Sequence, residues 1–149
     1  MRLDAGGIAK GYAVDEALKI IHKAGIRSAL VTGGGDVRVG EAPPGKSAWL
    51  IAGKGRNAAK ELVDNELLIS DKAVSTSGDT YRFLEWEGKR YSHIIDPRTG
   101  MGIEHQQFTQ VMGPRSTLAD ALATAANVLS PVERNHLAKK FPKYLIVQY

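Results

Sequence analysis

Cysteine is absent from the 149 residues, which excludes disulfides, thiolate nucleophiles and zinc–thiolate centres together and leaves the redox compartment open. Also missing is any apolar run near the roughly 20 residues of a membrane span. The opening Met1-Arg2-Leu3-Asp4-Ala5-Gly6-Gly7 carries no apolar core of signal-peptide length. A soluble chain is therefore expected. Nor is there a run of one charge: 20 basic and 16 acidic residues are scattered to a formal net of +4, without the dense basic stripe of a nucleic-acid binder. Nucleic acid is not an expected partner. Repeats, low-complexity tracts and clear linkers are lacking too. What is present is 43% hydrophobic residues, enough for one core and too little chain for two ordinary domains, so 1–149 reads as one domain.

From Tyr12 to Ala24 the residues Val14, Ala17, Leu18, Ile21 and Ala24 recur at helical spacing, and Gly25 stands where a C-terminal cap belongs. Two short strands, 28–32 and 37–39, flank a turn at Gly33-Gly34-Gly35-Asp36. Strands are expected at 47–52 and 66–70, and a hairpin at 80–86 and 89–95 around Glu87-Gly88. Its period of two places Tyr91, His93 and Ile95 on one face. Asp96-Pro97-Arg98-Thr99-Gly100 reads as a strong turn. A strand at 107–112 is followed by a helix from Leu118 to Leu129, capped by Ser116-Thr117, with Asp120 in its first turn and Ser130-Pro131 as its stop. A helix at 132–140 and a strand at 144–147 complete the chain. Hairpins and helices that do not alternate strictly predict an α+β fold.

Candidate chemistry gathers in five clusters, each with a plainer reading beside it. Gly6-Gly7 before a helix lets backbone amides approach a phosphate, helped by Lys10, or is simply a tight turn. Three consecutive glycines at 33–35 cost backbone entropy, which argues for something passing close, though a plain turn stays open. Asp120 and Thr124 lie four apart on one helical face, a hard-oxygen pair suited to Mg²⁺, or else helix-end and surface residues. His93, next to Asp96, Arg98 and Thr99, is placed for proton transfer or phosphate positioning, or is a structural histidine. Ser75-Thr76-Ser77-Gly78-Asp79 is a further polar cluster. His22, His105 and His136 lack such neighbours and read as surface residues. Tyr81, Phe83, Trp86 and Tyr91 read as hairpin packing.

Taken in order, Asp4-Ala5-Gly6-Gly7-Ile8-Ala9-Lys10-Gly11-Tyr12-Ala13-Val14-Asp15, Gly34-Gly35-Asp36-Val37-Arg38, Ser75-Thr76-Ser77-Gly78-Asp79, Tyr91-Ser92-His93-Ile94-Ile95-Asp96-Pro97-Arg98-Thr99-Gly100 and Ala119-Asp120-Ala121-Leu122-Ala123-Thr124 resemble the motif series of the ApbE family of FAD:protein FMN transferases. The resemblance runs from Asp4 to about Leu129. Asp4-Ala5 replaces the family's more usual Asp-Leu, and the family's customary N-terminal half is not in this sequence.

That resemblance implies a T-fold-like α+β architecture, a mixed or antiparallel sheet with packed helices, and FAD in a cleft with Mg²⁺ on its diphosphate. Mg²⁺ would be held by Asp120, Thr124 and the main-chain carbonyl of Ala9. The flavin nucleotide would touch Asp4, Lys10, Gly34, Gly35, Thr76, Ser77 and His93. His93 and Asp120 would be the catalytic residues, with Asp96 as an orienter of His93. The implied reaction moves FMN from FAD to a Ser or Thr of an acceptor protein with a Ser/Thr-Gly-Ala-Ser/Thr site, releasing AMP. An FAD pyrophosphatase, a flavin-binding module without transferase activity and a scaffold domain are the competing expectations. A homodimer or a partner chain is expected to complete the cleft, and the family context is the bacterial periplasm or the outer face of the inner membrane.

Overall fold

The structure is a computed structural model that describes residues 4–56, 61–78, 83–104 and 107–149; Asp79, Tyr81 and His105 lie outside them. In chain order the elements are α1 (Ala9–Lys23), β1 (Leu30–Gly33), β2 (Asp36–Val39), β3 (Trp49–Arg56), β4 (Leu62–Ile69), β5 (Ala73–Gly78), β6 (Phe83–Trp86), β7 (Lys89–Ser92), β8 (Ile95–Asp96), β9 (Met101–Gly102), β10 (Phe108–Gly113), α2 (Ser116–Val128), α3 (Pro131–Lys140) and β11 (Leu145–Gln148). Among the described residues the central sheet runs β1-β2-β5-β10-β11, every neighbouring pair antiparallel. The fold is α+β, as expected.

Alternation along the strands splits this sheet into two faces with separate cores. On one face Val111 packs with Ala119, Leu122 and Ala123 of α2 and with Tyr144. On the other, Val39 and Val74 pack with Ile51 and Ile69 of the β3–β4 pair, and Met112 joins them. Val111 and Met112 are adjacent in sequence and serve opposite cores, which is the period of two made visible.

Helix α1 ends as its sequence predicts. Gly25 N–H donates to the His22 carbonyl and Ile26 N–H to that of Ile21, the two bonds that close a helix over a C-terminal glycine. The helix starts earlier than periodicity suggested, at Ala9, so the end of the glycine-rich motif forms its first turn.

The two helix N-termini are capped by each other. Asp15 of α1 accepts hydrogen bonds from Ser116 N and Thr117 N, each at 2.9 Å, while Asp120 of α2 accepts one from Gly11 N at 3.1 Å. This corrects the expectation of a local Ser116-Thr117 cap: α2 begins at Ser116 itself, with no side-chain cap from its own N-cap residue Arg115. It also moves Asp120 beyond the first turn. A carboxylate delivered across the helix pair satisfies orphan amides and meets the positive helix end at once. Asp15→Ala should lower unfolding stability by about 2 kcal/mol, the upper range for a lost cap; an unchanged urea midpoint would show that water replaces the carboxylate without loss. Ser130, read as part of a stop, also starts α3, through a capping box with Glu133.

Candidate functional site

Between the N-terminus of α1, the face of α2 that carries Ala121, Thr124 and Val128, the β1–β2 turn and the segment after β7 lies a cavity of about 1040 Å³. Its wall contains Asp4, Gly6, Gly7, Lys10, Gly34, Thr76, Ser77, His93 and Thr124, so all five sequence clusters reach one place. Ala9, Gly35 and Asp120 are not in the wall itself. Ala9 is the first residue of α1, two positions before the Gly11 amide that binds Asp120.

The glycine-rich loop is shaped by its own side chain: Asp4 Oδ1 accepts from Gly6 N at 2.6 Å. Gly7 lies against Thr124, where an added Cβ would come within 3.2 Å of the hydroxyl oxygen. In the β1–β2 turn Gly34 and Gly35 both have positive φ, 59° and 94°, as a two-residue hairpin loop of this hand requires. A Cβ on Gly34 would stand 2.7 Å from Lys10 Cδ. The glycine run therefore serves both readings: it makes the turn, and the lysine stem passes across it.

Lys10 reaches over Gly34 to two buried carboxylates. Its Nζ lies 3.2 Å and 3.4 Å from the Asp120 oxygens, 3.5 Å from Asp36 Oδ2, and donates to the Gly6 carbonyl at 3.4 Å. Asp36 is 1% and Asp120 2% exposed. Burial pushes the Asp36 carboxyl up to about 6, with the Asp120 charge adding to the rise and Ser75 and Lys10 opposing it. From sequence Asp36 stood only as the end of the Gly33-Gly34-Gly35-Asp36 cluster, with no role assigned to it.

The raised value has a stability consequence with a definite sign. A carboxyl whose folded value exceeds the unfolded 3.8 favours folding most when protonated, and its contribution declines as pH rises from about 4 through 6. In chelator-treated protein, the melting temperature of the wild type minus that of Asp36→Asn should therefore fall as pH is raised from 4.5 to about 7. A difference that stays level across this window would contradict the assignment.

Strand alternation divides the polar cluster on β5. Ser77 turns to α2, where Thr124 Oγ1 donates to its hydroxyl at 3.3 Å and Asn127 Nδ2 to its carbonyl at 3.0 Å. Thr76 takes Gln110 Nε2 at 3.4 Å. His93 follows β7 in a bend, not within a strand, yet the alternation persists: Ser92 and Ile94 are buried, His93 and Ile95 exposed. Ile94 N is held by Ser92 Oγ at 3.0 Å.

Two expectations need correction. Both oxygens of Asp96 are engaged by Arg98, at 2.9 Å and 2.8 Å, which holds the carboxyl below its usual range; nothing in this arrangement supports Asp96 as the orienter of His93. Arg98 also donates to the Val128 carbonyl at 2.7 Å, tying the turn to the end of α2. His22 is not a surface residue: it is half-buried, with its Nε2 enclosed near Gly40. The hairpin aromatics pack across the hairpin rather than into a core: Phe83 and Trp86 are 45% and 63% exposed, and the Arg90 guanidinium of the paired strand lies 3.8 Å above the Phe83 ring centre.

The donor set suits a hard divalent cation. Asp120, the Thr124 hydroxyl and a main-chain carbonyl are all oxygen donors, and two buried carboxylates face one ammonium, leaving a negative charge to be balanced. Asp36 Oδ2 has no hydrogen-bond partner among the described residues, a cost that a nearby cation relieves.

The ApbE family sequence model matches residues 1–147, beyond the point near Leu129 where the motif resemblance stopped. An FAD:protein FMN transferase of Treponema pallidum is 34% identical over 95% of this chain and 42% of its own length. The Escherichia coli K12 enzyme of that name is 33% identical over 93% of this chain and 40% of its own length. Among solved structures, the apo Pseudomonas stutzeri flavinyl transferase ApbE superposes with a TM-score of 0.80 at 33% identity, over 99% of this chain and 45% of that one. The ApbE protein of Thermotoga maritima gives 0.80 at 34%, over 99% and 48%. The chain thus spans less than half the length of each of these relatives. On sequence and architecture together, it belongs to the ApbE family.

Proposed function

We propose that the chain forms the dinucleotide and metal-binding part of an FAD:protein FMN transferase, moving FMN from FAD to a Ser or Thr hydroxyl of an acceptor protein. The observation that carries this is the convergence of motifs up to 120 positions apart in sequence on one cavity, with two buried carboxylates and an ammonium at its edge. The names of the relatives give the reaction class.

In this reading the amide-rich loop at Gly6-Gly7 and Lys10 receive the diphosphate of FAD. The exposed Ile8 and Ile95 in the cavity wall offer apolar surface to the ring system, or to a second copy or partner chain that closes over it. Asp120, Thr124 and the Ala9 carbonyl would hold Mg²⁺, whose contribution when bound is to draw charge from the diphosphate. The acceptor oxygen bonds to the flavin-side phosphorus, the bond to the AMP oxygen breaks, and the hydroxyl proton passes to His93 while AMP leaves as the phosphate anion. The bacterial periplasm or the outer face of the inner membrane is the setting proposed with it, on the family resemblance alone.

The test incubates the chain with FAD, Mg²⁺ and an acceptor bearing a Ser/Thr-Gly-Ala-Ser/Thr site, followed by mass spectrometry. Covalent FMN on the acceptor supports transfer. Free FMN and AMP instead would identify a pyrophosphatase, and intact bound FAD a binding module. His93→Ala should lower turnover by about 10²-fold or more, the usual worth of a positioned proton acceptor, with FAD affinity little changed; an unaltered rate would make His93 structural.

A further inference from the structure

Lys10 has more oxygen neighbours than it has protons. Three N–H groups face both Asp120 oxygens, Asp36 Oδ2 and the Gly6 carbonyl, all between 3.2 and 3.5 Å. The ammonium is shared loosely and fixed by none of them. Its two anionic partners are nearly inaccessible, whereas the lysine side chain is 43% exposed. Asp120 has a second anchor in Gly11 N. Asp36 Oδ2 accepts no hydrogen bond from the described residues, and the cation beside it is Lys10. A buried carboxylate oxygen whose one cationic neighbour stands at the cavity edge acts on that neighbour.

We propose that Lys10 is a resident counter-cation that a divalent ion displaces from Asp120, and that Asp36 is a positioning residue that retains the displaced ammonium in the cavity and aims it at the dinucleotide's phosphates. This rests on the proposed function and adds an order of events to it. Before the metal arrives, Lys10 balances the excess negative charge of the carboxylate pair. Once a divalent cation takes Asp120, like-charge repulsion drives the ammonium away. Asp36 keeps it on a short tether across Gly34, whose missing side chain leaves the lysine stem room to turn. The metal and the lysine then face the diphosphate from two sides.

Mn²⁺ binding to the chelator-stripped chain, without dinucleotide, tests the exchange by electron paramagnetic resonance. Lys10→Met removes the competing cation and should tighten Mn²⁺ binding by about tenfold, the order that a partly buried charged contact is worth. Asp36→Asn removes a negative charge beside the ion and should weaken it. At saturating Mn²⁺, Asp36→Asn should weaken FAD binding, read by flavin fluorescence, by about tenfold as well.

The double variant separates positioning from a merely structural role. If Asp36 acts through Lys10, Asp36→Asn has no further effect on FAD affinity once Lys10 is Met; equal losses in both backgrounds would overturn the proposal. Mn²⁺ bound equally by wild type and Lys10→Met leaves the metal site standing and overturns the exchange. Absence of Mn²⁺ binding to the wild type removes the underlying site and the exchange with it. Lys10→Met leaves two buried carboxylates without their cation, so Lys10→Gln, which keeps hydrogen-bond donors and drops the charge, decides the question by the same Mn²⁺ comparison where Lys10→Met folds poorly.

Discussion

Asp120→Ala will cut Mg²⁺-dependent turnover by about 10³-fold while the chain still unfolds cooperatively. The size follows from the several kcal/mol that a bound cation supplies to developing phosphoryl charge, each 1.4 kcal/mol being about tenfold in rate. The structural cost is smaller, because the variant loses one buried hydrogen bond to Gly11 N and Lys10 keeps Asp36. We expect a stability loss of about 1–3 kcal/mol. Asp120→Asn separates the two roles, since an amide oxygen still accepts from Gly11 N but carries no charge for a metal. It should fold nearly as well as the wild type and turn over as poorly as the alanine variant. Unaltered turnover in both would remove Asp120 from the metal site.

Gly11→Ala should destabilise the chain by more than about 2 kcal/mol, against the roughly 1 kcal/mol gain that helix propensity alone predicts for this exchange. An added Cβ would sit 2.3 Å from the Ser116 carbonyl oxygen and 2.8 Å from Asp120 Cβ. The first of these is backbone, and Ser116 is pinned by Asp15, so no rotamer change relieves the contact. Separating the helices would also lengthen the Gly11–Asp120 bond and spoil the site, so FAD affinity should fall with stability. Urea unfolding and flavin titration check both parts. A variant more stable than the wild type would show that α1 and α2 are not in close contact here.

Much of this was legible because the signals are local. The spacing of Val14, Leu18 and Ile21 with Gly25 specifies α1 and its end, and a four-residue interval places Asp120 and Thr124 on one face of α2. The β6–β7 hairpin was visible in its β-prone runs around Glu87-Gly88. Strand β5 was not, because Ala73-Val74-Ser75-Thr76-Ser77-Gly78 carries little hydrophobic alternation; Ser75 is fully buried in a strand that α2 covers, not by its own character. The crossed caps escaped for a related reason. Asp15 and Ser116 are 101 positions apart, and no local pattern links a mid-helix aspartate to a distant helix start. Asp36 likewise looks like an ordinary turn residue until β5 and α2 close over it.

Anomalous diffraction from crystals of the chain grown with Mn²⁺ and FAD will locate the cation. A single manganese peak is expected, bonded to an Asp120 oxygen, the Thr124 hydroxyl and the Ala9 carbonyl at about 2.2 Å, the range of a hard divalent ion with oxygen ligands, and touching the FAD diphosphate. A peak elsewhere, or a diphosphate bound without metal in that cavity, would contradict it.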